Sequence, residues 1–538
     1  MGWLNVSDVV ITAKTVDEWL NGVSYAHDLS YVPSLWAMEF VEFIKMVTDG
    51  TGEENKTPVL HYHMLDRVGT AEGNSVRLAN MVFRGAAKTT LLGEYLFLYL
   101  GMYGALPSFG RIELALYVSD SIDNGVKNMR KNLEYRYDNS EFLKKYMRAE
   151  FTDVRWKFTN ADGNVFIVKG YGAKTGVRGS KEMGMRPRLA VLDDLVSDED
   201  ARSPTVIASI EDTIYKAIDY ALHPVRNMIV WSGTPFNAKD PLYKAIESGA
   251  WDVNVYPVCE RFPCDRREFR GAWPDRFTYD HIKDKYDKSV KQGKVDTFNQ
   301  ELMLRIMSED DRLIADHEIQ WYRRSLVLAN RHYFNYYITT DFAVSAKQQA
   351  DFSVISVWAY NNNGDWYWVD GVCRRADMAQ NMDDLFKLAS KWKPLGVGVE
   401  VSGQQAGFIP WIQSEMIKRN VFFNFASENN KRDPGIRPST DKLTRFQVVV
   451  PFFKMKKIFF PEELRLGREM VEMYAELSLA SAGGFRSKHD DFIDTISMLP
   501  LMNPIAPGVE QNISMGDNGI WEADEVDEGY GGVDYYLV

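Results

Sequence analysis

Between residues 61 and 255, short apolar runs alternate with helical stretches: SVRLANMVF, ELALYVSD, NVFIVKG, RLAVLDD and NMIVWSG. A strand that is apolar at nearly every position must be covered on both faces. The spacing therefore predicts a mostly parallel sheet with helices on both sides, an α/β fold. A second alternating region opens at Tyr333. YFNYYITTDF, DFSVISVWAY and DWYWVDGVCRR read as three successive strands, and Asn363-Gly364 between the last two is a strong hairpin signal. LGVGVE reads as a fourth strand and HDDFIDTISMLPLM as a closing helix. With 538 residues the chain is long enough for two substantial cores.

The expected organisation follows from these patterns. Residues 1–60 form an N-terminal segment, helical in VDEWLNGVSYAHDLS and SLWAMEFVEFIKMV, and 61–255 form the first α/β domain. Residues 256–330 are a polar, aromatic-rich connector, 331–505 the second domain, and 506–538 a Gly-rich acidic tail expected to be flexible. There is no internal repeat.

Composition narrows the classes. No stretch approaches the roughly 20 apolar residues of a membrane span; the longest, LLGEYLFLYLGMYGAL, carries Glu94. MGWLNVSDVV lacks the basic start and apolar run of a secretory signal. Three cysteines without zinc-ligand spacing point to a reducing cytoplasm. A net charge of -12 argues against a uniformly basic nucleic-acid surface but leaves room for a local basic channel.

Residues 81–90, MVFRGAAKTT, sit between a strand-like run and a helix-like one, where a phosphate-binding loop belongs. Such a loop turns backbone N–H groups toward phosphate oxygens at a helix start, with a Lys and a hydroxyl following. Gly85, Ala86 and Ala87 form the turn, Lys88 reaches the phosphates, and Thr89, with Thr90 beside it, faces Mg²⁺. Taken alone, a Gly-Ala-Ala-Lys turn is equally consistent with plain structure. RLAVLDD strengthens the reading, because a strand tip bearing Asp193 can hold Mg²⁺ through water and Asp194 can orient the attacking water. The turn after NMIVWSG offers Thr234 as a sensor of the terminal phosphate, and the Gly-rich loop of residues 172–181 offers Arg178 to DNA or phosphate.

The second region carries spaced carboxylates: Asp341 after the first strand, Glu400 at the end of the fourth, and Asp490, Asp491 and Asp494 at the last helix. Three or four carboxylates brought together around ions roughly 4 Å apart make a two-metal nuclease. Asp491, then Asp494, is the favoured helix ligand. Between residues 431 and 488 the chain is basic, and Lys442, Arg445 and Lys488 are the expected DNA-backbone contacts.

FRGAAKTT, GVRG, LAVLDD and SGTP, followed by the Asp341, Glu400 and HDDFID elements, resemble in order and spacing the large terminase subunit of tailed bacteriophages. That resemblance implies a P-loop ATPase domain followed by an RNase H-like nuclease domain. It implies ATP and Mg²⁺, with Mn²⁺ an option in the nuclease site. Arg84, four residues before Lys88, matches the family's arginine and becomes a candidate arginine finger, in cis or from a neighbour. Ala87 departs from the family's glycine, and Asp193-Asp194 from its commoner Asp-Glu. The expected partners are double-stranded DNA, a portal on a procapsid, a small terminase subunit and further copies in a ring of five. The expected location is the cytoplasm of the infected bacterial host, outside the mature virion. Two rival readings are a cellular helicase-nuclease, which needs paired ATPase folds, and a non-catalytic shell protein with relic motifs.

Overall fold

The computed structural model describes residues 14–25, 31–49, 56–174, 177, 180–307, 312–343, 352–401, 408–431, 433–487, 489–508, 513–515 and 521–523. The chain divides into two compact units, Met1–Ser289 with Lys294–Ser308, and Val290–Gly293 with Glu309–Val538. The segment 256–289, expected in the connector, thus goes with the first unit. No helix among the described residues is long and apolar enough to cross a membrane.

The first unit is built on an eight-stranded sheet. Its strands are β1 (Ser75–Val82), β2 (Leu114–Ser119), β3 (Met147–Phe151), β4 (Arg155–Asn160), β5 (Val165–Gly172), β6 (Leu189–Asp193), β7 (Asn227–Gly233) and β8 (Asp252–Tyr256), in the order β8-β1-β7-β6-β2-β5-β4-β3. β8 through β5 pair in parallel, and β4 and β3 add antiparallel at one edge. All five sequence-predicted strands lie in the parallel block. The edge pair, MRAEF and RWKFTN, escapes a reading based on apolar runs because it alternates polar and apolar residues around one buried face. Ala79, Leu116, Val118, Ala190, Leu192, Ile229 and Trp231 are buried within one core cluster. Each large apolar side chain buried there contributes about 1.5–3 kcal/mol.

Helices α1 (Val16–Asn21), α2 (Leu35–Val47) and α3 (Val59–Gly69) precede β1. After the loop that follows β1, the chain enters a wide π turn over Thr90–Tyr95 and then α4 (Leu96–Tyr103). Glu94, buried in that turn, is held by Arg136 and by Asn132. A charge buried at this depth persists only because it is paired.

The second unit contains a six-stranded sheet: β9 (Gln320–Tyr322), β10 (Asn335–Asp341), β11 (Ser353–Tyr360), β12 (Trp366–Arg374), β13 (Gly396–Val399) and β14 (Ile458–Pro461), ordered β9-β14-β12-β11-β10-β13. β10, β11 and β12 form the expected antiparallel meander, and β13 returns parallel to β10. A three-strand meander with a parallel fourth strand beside the first is the RNase H-like arrangement. Gly364 has φ 79° at the β11–β12 turn, a left-handed conformation that glycine adopts without cost. Asn361 Oδ1 locks the turn by accepting from the N–H groups of Asn363 and Asp365. The helices that position the candidate site are α5 (Lys442–Lys454), α6 (Arg468–Ser478) and α7 (Asp491–Ser497).

Candidate functional sites

The loop between β1 and α4 lies at the carboxyl end of a central parallel strand, where ligands of open α/β sheets bind. It is fixed from several sides. The Arg84 N–H donates to Glu301 O (2.9 Å), and His61 Nε2 on α3 donates to Ala86 O (2.7 Å). Gly85 has φ 93°, and a Cβ there would lie 3.2 Å from the Phe277 ring. Ala87 has φ 59°. A residue with a Cβ spends roughly 1 kcal/mol in that left-handed conformation, so the alanine standing in for glycine leaves the loop shape intact and slightly strained.

Side chains from three strand ends meet at this loop. Thr89 Oγ1 donates to Asp193 Oδ1 (3.0 Å), and the Tyr117 hydroxyl on β2 donates to Asp193 Oδ2 (3.1 Å). Lys88 Nζ lies 2.9 Å from Asp194 Oδ2, and the Thr234 N–H donates to Asp194 Oδ1 (3.3 Å). Thr234 Oγ1 donates to Val82 O (2.6 Å). The Asp193 carboxyl is pushed up to about 7, by burial first and the adjacent Asp194 second, against Lys88, Thr89 and Tyr117. Two adjoining carboxylates, one buried, call for a cation, and Lys88 supplies it. A cavity of about 10 Å³ beside Asp194, Gly233, Thr234 and Asp240 has roughly the room of one water. Arg84 projects outward with its side chain 67% exposed and pairs with Glu301 at 3.1 Å. Arg178 lies outside the described residues.

In the second unit, Asp341 ends β10, Glu400 follows β13, and Asp490 stands immediately before α7, which carries Asp491 and Asp494. Two cations from the first turn of α5 enter this group. Arg445 bridges Glu400 (2.9 Å) and Asp494 (3.4 Å), and Lys442 bridges Asp490 (2.9 Å) and Asp494 (2.7 Å). Burial, then Asp494 and Asp491, push the Asp341 carboxyl well above the usual range. The Asp494 carboxyl is also raised, by burial, although Lys442 and Arg445 oppose it. Asp491 is turned differently: its Oδ2 accepts the Phe352 N–H (3.0 Å), and His489 Nδ1 is 3.8 Å away. Asp494 is therefore the helix carboxylate most engaged with the cations. Lys442 and Arg445, expected along a DNA path, lie in the carboxylate cluster. Lys488 lies outside the described residues.

The donor set suits a hard divalent ion: carboxylate oxygens from a strand end, a second strand end and a helix, raising one another's affinity for positive charge. Among the described residues, however, no three carboxylate, histidine or cysteine groups are close enough to enclose an ion. The Lys442 ammonium and the Arg445 guanidinium pair with Glu400, Asp490 and Asp494 here.

Sequence reasoning did not reach His61, Tyr117, Phe277, Glu301 or Glu476. Glu476 Oε2 accepts the N–H groups of Phe492 and Ile493 (both 2.9 Å) and so caps α7 from the neighbouring α6. None of these positions carries a motif, because each acts through a contact distant in the chain.

No protein-family model and no curated protein matches the chain. Among solved structures it is similar to the HK97 bacteriophage large terminase, at 13% identity over 86% of this chain and 98% of that one, TM-score 0.34. It is similar to the large terminase ATPase domain of Thermus phage P74-26, at 12% identity over 52% of this chain and 100% of that one, TM-score 0.32. A third similar structure is the large terminase nuclease of thermophilic phage G20c with bound magnesium, at 13% identity over 36% of this chain and 97% of that one, TM-score 0.24. At such identities and scores, function rests on the side chains.

Proposed function

We propose that this chain is the ATPase-nuclease subunit of a viral DNA-packaging motor. ATP hydrolysis in the first unit drives double-stranded DNA into a procapsid, and the second unit cuts concatemeric DNA. The observation that carries the reading is the presence, in one chain, of the Lys88–Thr89–Asp193–Asp194 cluster and of Glu400 and Asp494 bridged by Arg445, with Asp341, its carboxyl raised by burial first, near enough for their charges to raise it further.

In the first unit Lys88 leaves Asp194 for the β- and γ-phosphates, Thr89 and Asp193 face Mg²⁺, and the released Asp194 orients the attacking water. Thr234 reads the terminal phosphate. Arg84, mostly exposed, leaves Glu301 to stabilise transition-state charge in its own or a neighbouring subunit. In the second unit Asp341, Glu400 and Asp494, with Asp490 and Asp491 nearby, hold Mg²⁺ or Mn²⁺. When bound, such ions activate water and stabilise the leaving oxygen. Glu476 keeps α7 in place, and Arg445 holds Glu400 and Asp494 together.

The partners in this reading are a portal, a small terminase subunit and a ring of copies, probed by pull-down on procapsids. The setting is the cytoplasm of an infected bacterium. The deciding experiment incubates the protein with plasmid and Mn²⁺ and, separately, measures ATP turnover. Absence of both activities ends the proposal.

A further inference from the structure

The acidic group of the second unit carries its own counter-ions, and their placement is unusual. Lys442 and Arg445 occupy the first turn of α5, where the helix dipole disfavours positive charge. The turn is fixed by Asp441, which accepts the N–H of Thr444 (3.0 Å) and its hydroxyl (2.7 Å). Further along, Phe446, Val449, Val450 and Phe453 form a buried stripe at helical spacing. The helix is thereby anchored, so any exchange at its start must be made by side chains. The two cations differ in freedom: the Arg445 side chain is 10% exposed and the Lys442 side chain 45%.

We propose that Lys442 is a displaceable counter-cation of the nuclease centre. Its ammonium holds Asp490 and Asp494 while no divalent ion is present. A divalent ion then takes its place, and the freed lysine turns to the DNA backbone. Arg445, boxed in between Glu400 and Asp494, stays and keeps those two ligands from different elements together. Metal loading and phosphate binding are thereby linked: the ion releases the charge that the DNA needs. The exchange breaks and makes only ionic contacts: a doubly charged ion replaces one ammonium at Asp490 and Asp494, and the extra positive charge is taken up by the surrounding carboxylates. This inference rests on the nuclease reading above.

The test uses the full chain and Lys442→Gln, with Lys442→Arg as a second variant that keeps the charge. Mn²⁺ binding without DNA is followed by calorimetry or by the free-ion electron paramagnetic resonance signal. Removing the competing ammonium tightens Mn²⁺ binding in Lys442→Gln by about tenfold, whereas Lys442→Arg stays near the wild type. DNA binding is then measured against salt concentration in Ca²⁺ and in EDTA. With Ca²⁺ present, Lys442→Gln lowers the magnitude of the salt slope by about 1, the increment expected for a single neutralised phosphate. In EDTA it leaves the slope unchanged. Unchanged or weaker Mn²⁺ affinity in a folded Lys442→Gln protein overturns the proposal, as does an equal slope change in EDTA. A wild-type chain that binds no Mn²⁺ at all instead sinks the nuclease reading on which it rests.

Discussion

The Lys88 ammonium lies 2.9 Å from the Asp194 carboxylate, with the lysine side chain 8% and the aspartate 48% exposed. A buried lysine held to a half-exposed carboxylate at the end of a parallel sheet is poised to exchange that partner for a phosphate. In the proposed ATPase reading, that exchange would free Asp194 to orient the attacking water.

Lys88→Ala is therefore expected to lower ATP turnover on the order of 100-fold or more, the scale for removing one charge-stabilising group. It should leave Mn²⁺-dependent plasmid nicking intact. Asp341→Ala should do the reverse. A coupled-enzyme ATPase assay and an agarose gel check both, and loss of both activities in either folded variant contradicts two separate centres.

Ala87→Gly should relax the loop. The alanine sits at φ 59°, and relief of about 1 kcal/mol is partly offset by the greater freedom of glycine in the unfolded chain. Urea denaturation should show a stability equal to or slightly above the wild type, and the KM for ATP should fall. A loss of more than about 1 kcal/mol would mean that the alanine methyl is needed.

His61 makes the protein acid-sensitive. Burial lowers its imidazole to about 4, so it is neutral in the folded state and donates to Ala86 O. The unfolded chain binds the proton first, near pH 6.5, so stability is complete above that pH and is lost as pH falls toward 4. Acidification from pH 7 to pH 5 should cost the wild type about 2 kcal/mol more than it costs His61→Gln. Equal losses in thermal or urea unfolding would refute the assignment.

One carboxylate-to-amide change in the second unit should stabilise the protein when divalent ions are chelated. Asp341→Asn removes a carboxyl that burial and its acidic neighbours disfavour as an anion, and the melting temperature should rise. Calorimetry in EDTA checks it, and a lower melting temperature contradicts it.

The carboxyl-terminal boundary is also open to test. The Ile505 N–H donates to the Tyr337 hydroxyl, Asn335 donates to Ile505 O, and Met502 is buried. Ending the chain after Gly508 should preserve the second unit, whereas ending it after Leu501 should expose the outer face of β10 and lower the melting temperature. If the longer chain alone packages DNA, the acidic segment beyond Gly508 is a docking element.

Much of this architecture was legible in the residues because buried parallel strands announce themselves as unbroken apolar runs, as LALYVS and LAVLD do. The Asn-Gly turn fixed the β11–β12 hairpin equally well. What stayed hidden was pairing across distance. Nothing in HYHMLD marks His61 as the support of a loop 25 residues later, and nothing around Glu476 marks it as the cap of another helix. The acidic partners of Lys442 and Arg445 stayed hidden for a related reason: charge is visible in a sequence, but its partner is not. Both residues read as contacts for a DNA backbone, and the fold sets them among acids.

Thr234 joins the tip of β7 to the last residue of β1 through its bond to Val82 O, while its own N–H holds Asp194. Neighbouring strands so stapled cannot shift one at a time. A displacement of the loop after β1 is therefore carried to β7 and the turn beyond it through one side chain, the coupling that the proposed motor would need.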